Sequence, residues 1–557
     1  VVEKKNSTTA MPLWPCCDSD PCDAAAVEPQ NLGHAAEEPA AALETGIEVQ
    51  VNGLAAMGAA NQCAVLREIC VEDPVKTALC NRCDSGDEVV ATRSTIRTTD
   101  LEILRGIPLR ESLHRAGALW RANPRELTLE AREECYQRSR YVDHLDVFIS
   151  HTWQSSGVSK TWSLLLQSGW QHATGGWFLG VALAFVLCAT ETLPRPFSLV
   201  VTVGPWSEPC SVGPWAMMFG FLGTCLGLLL SPYCWCQKAE LCFIDAACIH
   251  QSDAALMHRG IRGIGSFLLV SKELRILWSP AYLQRLWCVF ELATYKKLNT
   301  SGRISLAPLF VEKAVMTGYF GIPLFSAALF ILRVNRSGAI FFGLPFVGCL
   351  PFLLTVHMLR RNYELKHQLE SQFADFDLDF VQCSDESDRQ FVHAAIVELY
   401  GSKEEFAEFV RGPLRQELLG PLNENAMPVC YTLLLVLPMN SLVCDTLVSV
   451  WMRGPPTELF WLYLVSRAIL CFLHIPACAD FTILLCDRGA KPWHPSPILD
   501  YLQTVILLAA FLAYAVAGMV LTMRAHTQGS WWWLLGCFLL FSGIRAALHY
   551  KGLSCRR

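Results

Sequence analysis

Ser279-Pro280-Ala281-Tyr282-Leu283-Gln284-Arg285-Leu286-Trp287-Cys288-Val289-Phe290-Glu291-Leu292 is the stretch on which the fold turns. It leaves a run of β-formers, Leu274-Arg275-Ile276-Leu277-Trp278-Ser279, and enters a helical pattern from about Gln284 to Leu298. That helix carries one carboxylate, Glu291, among apolar neighbours. Three further short runs read as strands: Leu145 to Ser150, Leu241 to Asp245 and Ile304 to Phe310. Strands alternating with helices predict a parallel sheet built of βαβ units.

This α/β pattern is broken by segments that only a lipid environment accommodates. Of 557 residues, 52% are hydrophobic and 17% charged, against about 25% charged in soluble domains. Mean hydropathy is +0.31. The net charge of −6 and the lack of a long basic tract argue against nucleic acid as a partner. The 25 cysteines are scattered, and Cys188, Cys225, Cys349 and Cys471 fall in apolar segments, where cysteine acts as a small hydrophobe. Cys63, Cys70, Cys80 and Cys83 include one Cys-x-x-Cys pair without a matching second pair, so no metal site is assigned. The chain starts at Val1, which reads as processed or incomplete.

The expected organisation is as follows. Residues 1–95, rich in Ala, Glu, Ser, Thr and Pro, read as disordered. Residues 100–140 read as a helical lead-in, with Leu101, Leu104, Leu109, Leu113 and Leu119 near helical spacing. The α/β unit comes in three parts, 141–172, 238–312 and 360–425, separated by membrane hairpins at 176–230 and 316–359. A proline-bearing loop (Pro194, Pro196, Pro205) joins the two passes of the first hairpin. The third part includes the polar run Asp375 to Phe380, a helix from about 385 capped by Ser384, and a capping box at Ser402-Lys403-Glu404-Glu405. Four more apolar helices fill 427–549, for about eight passes in all.

Parity then places all α/β parts on one side, because each hairpin returns the chain to where it began. Lys238, Lys313, Arg360, Arg361, Lys366, Arg488, Lys491, Lys551, Arg556 and Arg557 lie on that side. Arg195, Arg333, Arg336, Arg453 and Arg524 lie opposite. The positive-inside rule makes the α/β side cytosolic. The sequon Asn335-Arg336-Ser337 sits in a very short opposite-side loop. Arg467 falls within a span; it reads as a packed or snorkelling arginine, with an ion path as the alternative.

Three blocks carry a family resemblance. Asp146-Val147-Phe148-Ile149-Ser150-His151-Thr152-Trp153 is similar to the first strand and loop of Toll/interleukin-1 receptor (TIR) domains. Phe243-Ile244-Asp245 is similar to the second strand, and Ser279-Pro280-x-Tyr282 with Trp287-Cys288-x-x-Glu291-Leu292 to the most specific motif. Ile244-Asp245-Ala246-Ala247-Cys248-Ile249-His250-Gln251 also resembles the fungal heterokaryon-incompatibility (HET) domain. The resemblance implies a flavodoxin-like α/β unit, here interrupted by membrane hairpins and joined to an all-α multi-pass domain. It covers roughly 146–172, 241–310 and 375–411.

The resemblance further implies signalling by homotypic TIR contacts. One alternative is an NAD glycohydrolase in which Glu291 supports cleavage of the nicotinamide–ribose bond, with NAD as substrate and no cofactor. Another is a transporter or channel regulated by the α/β unit. Physical chemistry supports the glutamate independently: breaking an N-glycosidic bond builds positive charge on the ribose, which a nearby carboxylate stabilises. His151 and Trp153 follow the first strand, Ser279 and Tyr282 the third; with Trp287 they are the candidate ligand-binding residues, since ligands bind beyond strand carboxyl ends. A plain helix of core residues with a solvated Glu291 is the competing reading.

Overall fold

The computed structural model describes residues 103–554 apart from 122, 235–239, 335–337, 384 and 425–427. Its centre is a six-stranded mixed sheet in the order β2-β1-β6-β3-β7-β8, where β1 is Arg105–Pro108, β2 Arg140–Tyr141, β3 Leu145–Ser150, β6 Leu241–Phe243, β7 Ser271–Trp278 and β8 Arg303–Pro308. β6, β3, β7 and β8 are parallel neighbours. The pairing Val147↔Cys242 and Phe148↔Phe243 joins strands separated in the chain by an entire membrane hairpin. The four expected parallel strands are therefore one ladder. One expectation fails at its edge. Arg105–Pro108 is not helical: it pairs antiparallel with β6 and carries β2 beyond it. Asp375 to Phe380 adds no strand. Leu378–Phe380 is a 3-10 turn, and only Gln382 bridges, to Arg285.

β3 shows why the sheet forms. Its alternating side chains enter two cores: Phe148 packs with Phe243, Phe267 and Leu292 on one face, and Val147 and Ile149 with Leu164, Ile244 and Leu277 on the other. The first face is covered by helices Ile264–Leu269, Leu286–Leu298 and Glu386–Tyr400. The second continues without a linker into the membrane bundle, through Ala173, Trp177, Leu228, Val315, Leu434 and Leu437. Where β7 turns Glu273 and Arg275 onto this face, the charges meet each other at 3.0 Å and Glu240 at 3.3 Å, as buried charges require.

Seven helices among the described residues are long and apolar enough to cross a membrane, the make-up of a multi-pass membrane protein. The eighth expected pass lies in the helix Gly338–Ala374. It runs antiparallel to Leu309–Val334, with Phe325 stacked on Phe352 at 5.0 Å and Gly321 against Thr355. Two helices outgrow a membrane pass. Gly157–Ala189 is one uninterrupted helix of 33 residues, where a break near residue 172 was expected. Gly338–Ala374 has 37 residues, and its end, at Leu369 and Phe373, lies in the sheet's core.

The first hairpin closes backbone to backbone. A Cβ on Gly176 would lie 2.1 Å from the Gly223 carbonyl oxygen, and one on Gly180 2.2 Å from that of Phe219; small residues permit such approach. Asp445, on Val429–Arg453, accepts hydrogen bonds from the backbone N–H groups of Ala216 (2.6 Å) and Met217 (3.1 Å). It caps the start of the returning helix Trp215–Leu230. The expected proline-bearing loop is instead a β-hairpin, β4 (Phe197–Val203) and β5 (Trp206–Val212). Gly204 takes φ +54° at its tight turn. This hairpin covers the end of the bundle remote from the sheet.

Asp385, rather than Ser384, caps the helix Glu386–Tyr400; Ser384 lies outside the described residues. Ser402 caps Lys403–Phe409 as expected, accepting from the Glu405 N–H at 3.0 Å. The disordered reading of 1–95, Leu101, the four cysteines between 63 and 83, Lys238, the sequon and the last three residues also fall outside.

Candidate functional site

β3 and β7 are parallel neighbours, so their carboxyl ends open at the same edge of the sheet. The order β6-β3-β7-β8 runs outward in both directions from β3, and the connections leaving β3 and β7 diverge there. In open α/β sheets such a point is where ligands bind, beyond the strand ends.

Glu291 stands at this edge, on the second turn of Leu286–Leu298. Ser150, the last residue of β3, donates from Oγ to Glu291 Oε2 at 2.5 Å. Tyr282 Oη lies 2.6 Å from the same Ser150 Oγ and 3.4 Å from the Cys288 carbonyl oxygen. Tyr282 is in a short 3-10 turn following β7 and is fully buried. Three segments thus converge on one partly buried carboxylate. Burial pushes the Glu291 carboxyl up to about 8, with the charge of Asp245 adding to the effect and the Ser150 hydrogen bond opposing it. At neutral pH the group is largely protonated.

A second cluster adjoins the first through the chain. His151 follows Ser150, and its ring is buried, with Nε2 3.4 Å from Asp245 Oδ1 and Nδ1 3.4 Å from Lys160 Nζ. Trp153 Nε1 donates to Asp245 Oδ2 at 2.7 Å. The Lys160 ammonium sits 4.4 Å from the Trp153 ring centroid, a cation–π contact. Burial and the Lys160 charge both lower the His151 imidazole from its ordinary range, against the pull of Asp245. Asp245 is itself held low: burial opposes ionisation, but His151, the Trp153 indole and the Ala246 N–H outweigh it.

The candidates therefore separate into groups. Glu291 and Tyr282 meet at Ser150. His151 and Trp153 join Asp245 and Lys160 one step along the same edge. Ser279, at the end of β7, is buried with its hydroxyl unpartnered. Trp287 faces elsewhere: its indole donates to Asp388 Oδ2 at 3.1 Å and packs against Phe290 and Phe391. Asp245 fills the turn role its position suggests, accepting from the Ala246 N–H at 2.7 Å, and serves the histidine cluster as well.

The sequence reading omitted Lys160 altogether. Its signal was a lone cation in Ser159-Lys160-Thr161-Trp162, ahead of an apolar run. Ser150 stood in a quoted motif without a role. Among the described residues, no group of three His, Cys, Asp or Glu side chains has the arrangement to hold a metal ion. The chain matches no protein-family model, no curated protein and no solved structure.

Proposed function

We propose that the sheet is a TIR-like, flavodoxin-like unit on the cytosolic face, and that it cleaves the nicotinamide–ribose bond of NAD at Glu291. The observation that carries this reading is the carboxylate itself: partly buried, held by Ser150 beside Tyr282, and beyond the ends of two parallel strands. Carboxyls with strongly perturbed titration in a crevice are functional-site candidates.

In the proposed reaction the C1′–N bond breaks and its electron pair goes to the ring nitrogen, neutralising the nicotinamide. Water adds to C1′, and ADP-ribose, nicotinamide and one proton result. Glu291 as carboxylate stabilises the cationic ribose and accepts the proton from the attacking water. The substrate favours that ionised form, because an approaching pyridinium charge lowers a neighbouring carboxyl's pKa. Ser150 fixes which oxygen faces the sugar. The strand order β6-β3-β7-β8 supports the flavodoxin-like reading, and the basic residues at the sheet-side ends of the spans support the orientation.

The test uses the full chain in detergent or nanodiscs, since the sheet is assembled from segments between spans and cannot be excised as one piece. Wild type is expected to release nicotinamide from NAD, and Glu291→Ala to lose that release. No release from folded wild type refutes the enzymatic reading.

A second reading, signalling by contact between copies of the sheet unit, is favoured by the two continuous helices. Gly157–Ala189 starts four residues after Trp153 and carries Lys160, so a shift of that helix in the bilayer reaches the site directly. The two readings are compatible, since association could order the site for catalysis.

A further inference from the structure

At the end of the bundle remote from the sheet, two arginines enter the membrane domain without an acidic partner. Arg467, on Thr457–Ile469, lies with its guanidinium 4.6 Å from the Tyr463 ring centroid and Nη2 3.2 Å from His526 Nε2. Arg333, on Leu309–Val334, has Nη2 3.9 Å from Met519 Sδ, a weak acceptor. Met519 and His526 lie two turns apart on Pro497–Thr527, about 10 Å along its axis. Among the described residues neither guanidinium forms an ion pair with a carboxylate; Asp445 of Val429–Arg453 is engaged on the Ala216 and Met217 amides, and Glu208 of β5 on Arg453.

Two donors remain unused. Arg467 Nε and the Tyr463 hydroxyl are buried with no hydrogen-bond partner, and Tyr463 is 0% exposed. His526 offers no negative charge. Two cations, an orphaned phenol and an orphaned guanidinium N–H in a low-dielectric setting form an arrangement that a bound anion would complete. An uncompensated arginine in a membrane interior is costly, and a buried polar group without a partner costs about 1–3 kcal/mol. Arginine's planar fork fits the oxygen geometry of phosphate.

The position selects among anions. Arg333 is one residue from the end of its helix, and Gly204 of the β4–β5 turn donates to the His526 carbonyl at 2.9 Å. The cluster therefore lies near the remote membrane surface, at a depth that lipid phosphates and soluble anions both reach.

We propose that Arg333, Arg467 and Tyr463 form a phosphate-type oxyanion site, filled by the headgroup of an anionic lipid or by a free phosphate. It is independent of the site at Glu291.

The test is thermal unfolding of the full chain in detergent, with sodium phosphate against sodium chloride at equal ionic strength. In parallel, native mass spectrometry reads lipid retention from phosphatidylglycerol or phosphatidylcholine bicelles. Stabilisation by phosphate alone identifies a free anion; selective retention of phosphatidylglycerol identifies a headgroup. Either is expected to weaken at least about tenfold in Arg467→Gln and in Arg333→Gln, the size of one charge-assisted hydrogen bond. Tyr463→Phe keeps the ring and its packing, and is expected to weaken binding about three- to tenfold, so the proposal stays testable if an arginine variant fails to fold. No phosphate effect together with no lipid selectivity overturns it. So does binding unchanged in Tyr463→Phe and in whichever arginine variants fold.

Discussion

Glu291→Gln isolates the cost of ionising a carboxylate in the candidate site. The wild-type carboxyl is raised from 4.5 to about 8 by burial, so the folded state holds its proton across a range where the unfolded state has lost it. A raised folded value means that the stabilisation is complete below pH 4.5 and is lost as pH climbs through 8. Each unit in that range removes about 1.4 kcal/mol. From pH 6 to pH 8 the wild type should therefore lose about 2 kcal/mol that glutamine, with no proton to lose, retains. The amide still accepts from Ser150 through Oε1, and its volume is nearly unchanged. Tryptophan-monitored thermal unfolding of both proteins at pH 6 and pH 8 measures the effect, since titration of all other groups cancels in the difference. The variant's advantage should widen by about 4–8 °C at the higher pH, on the scale for large domains. A gap that is the same at both values refutes the burial argument, and with it the claim that this carboxyl is tuned.

Other outcomes follow from the same geometry. For NAD cleavage, kcat/KM should rise with pH to half its maximum near 8 and level off above that, because the free enzyme must lose the Glu291 proton first. In Ser150→Ala the rise should move to higher pH by about one unit, because the lost hydrogen bond favours the carboxylate; an unmoved profile would break the link between the two residues. Gly176→Leu should prevent assembly of the first hairpin, since its side chain would collide with the Gly223 carbonyl; a normal elution profile and a normal melting temperature would count against this close approach. Asp445→Leu should destabilise by about 2–3 kcal/mol through two uncapped amides, while Asp445→Asn, which keeps one acceptor oxygen, should lose less; equal melting temperatures would dismiss the cap.

What could be read from the sequence follows from how local its causes are. β3 and β7 were legible because runs of branched and aromatic residues are characteristic of strands buried on both faces. Arg105–Pro108 was not, since four residues ending in proline resemble a helix start, and only pairing with β6 extends them. The proline-bearing loop hid a hairpin for the same reason: Gly204-Pro205 is a turn signal, but its flanks looked like membrane-adjacent apolar sequence. Of the site, Glu291 and Tyr282 were named from a motif, while the bond from Ser150 depends on register between strands far apart in the chain. Lys160 could not be placed because its meaning comes from His151 and Trp153 standing over it. The glycine pairs Gly176/Gly180 and Gly223/Gly227 were visible as two four-residue spacings and went unread.

The interleaving of strands with spans makes the order of biosynthesis matter. When β3 emerges from the ribosome, its neighbour β6 has not been made, and two helices must enter the bilayer and return before the partners can meet. A hairpin that stalls halfway would leave β3 and everything after it on opposite sides of the membrane, with the edge of a parallel sheet open. Correct insertion is thus recorded in the sheet itself: a closed ladder exists only in molecules that have threaded twice and come back.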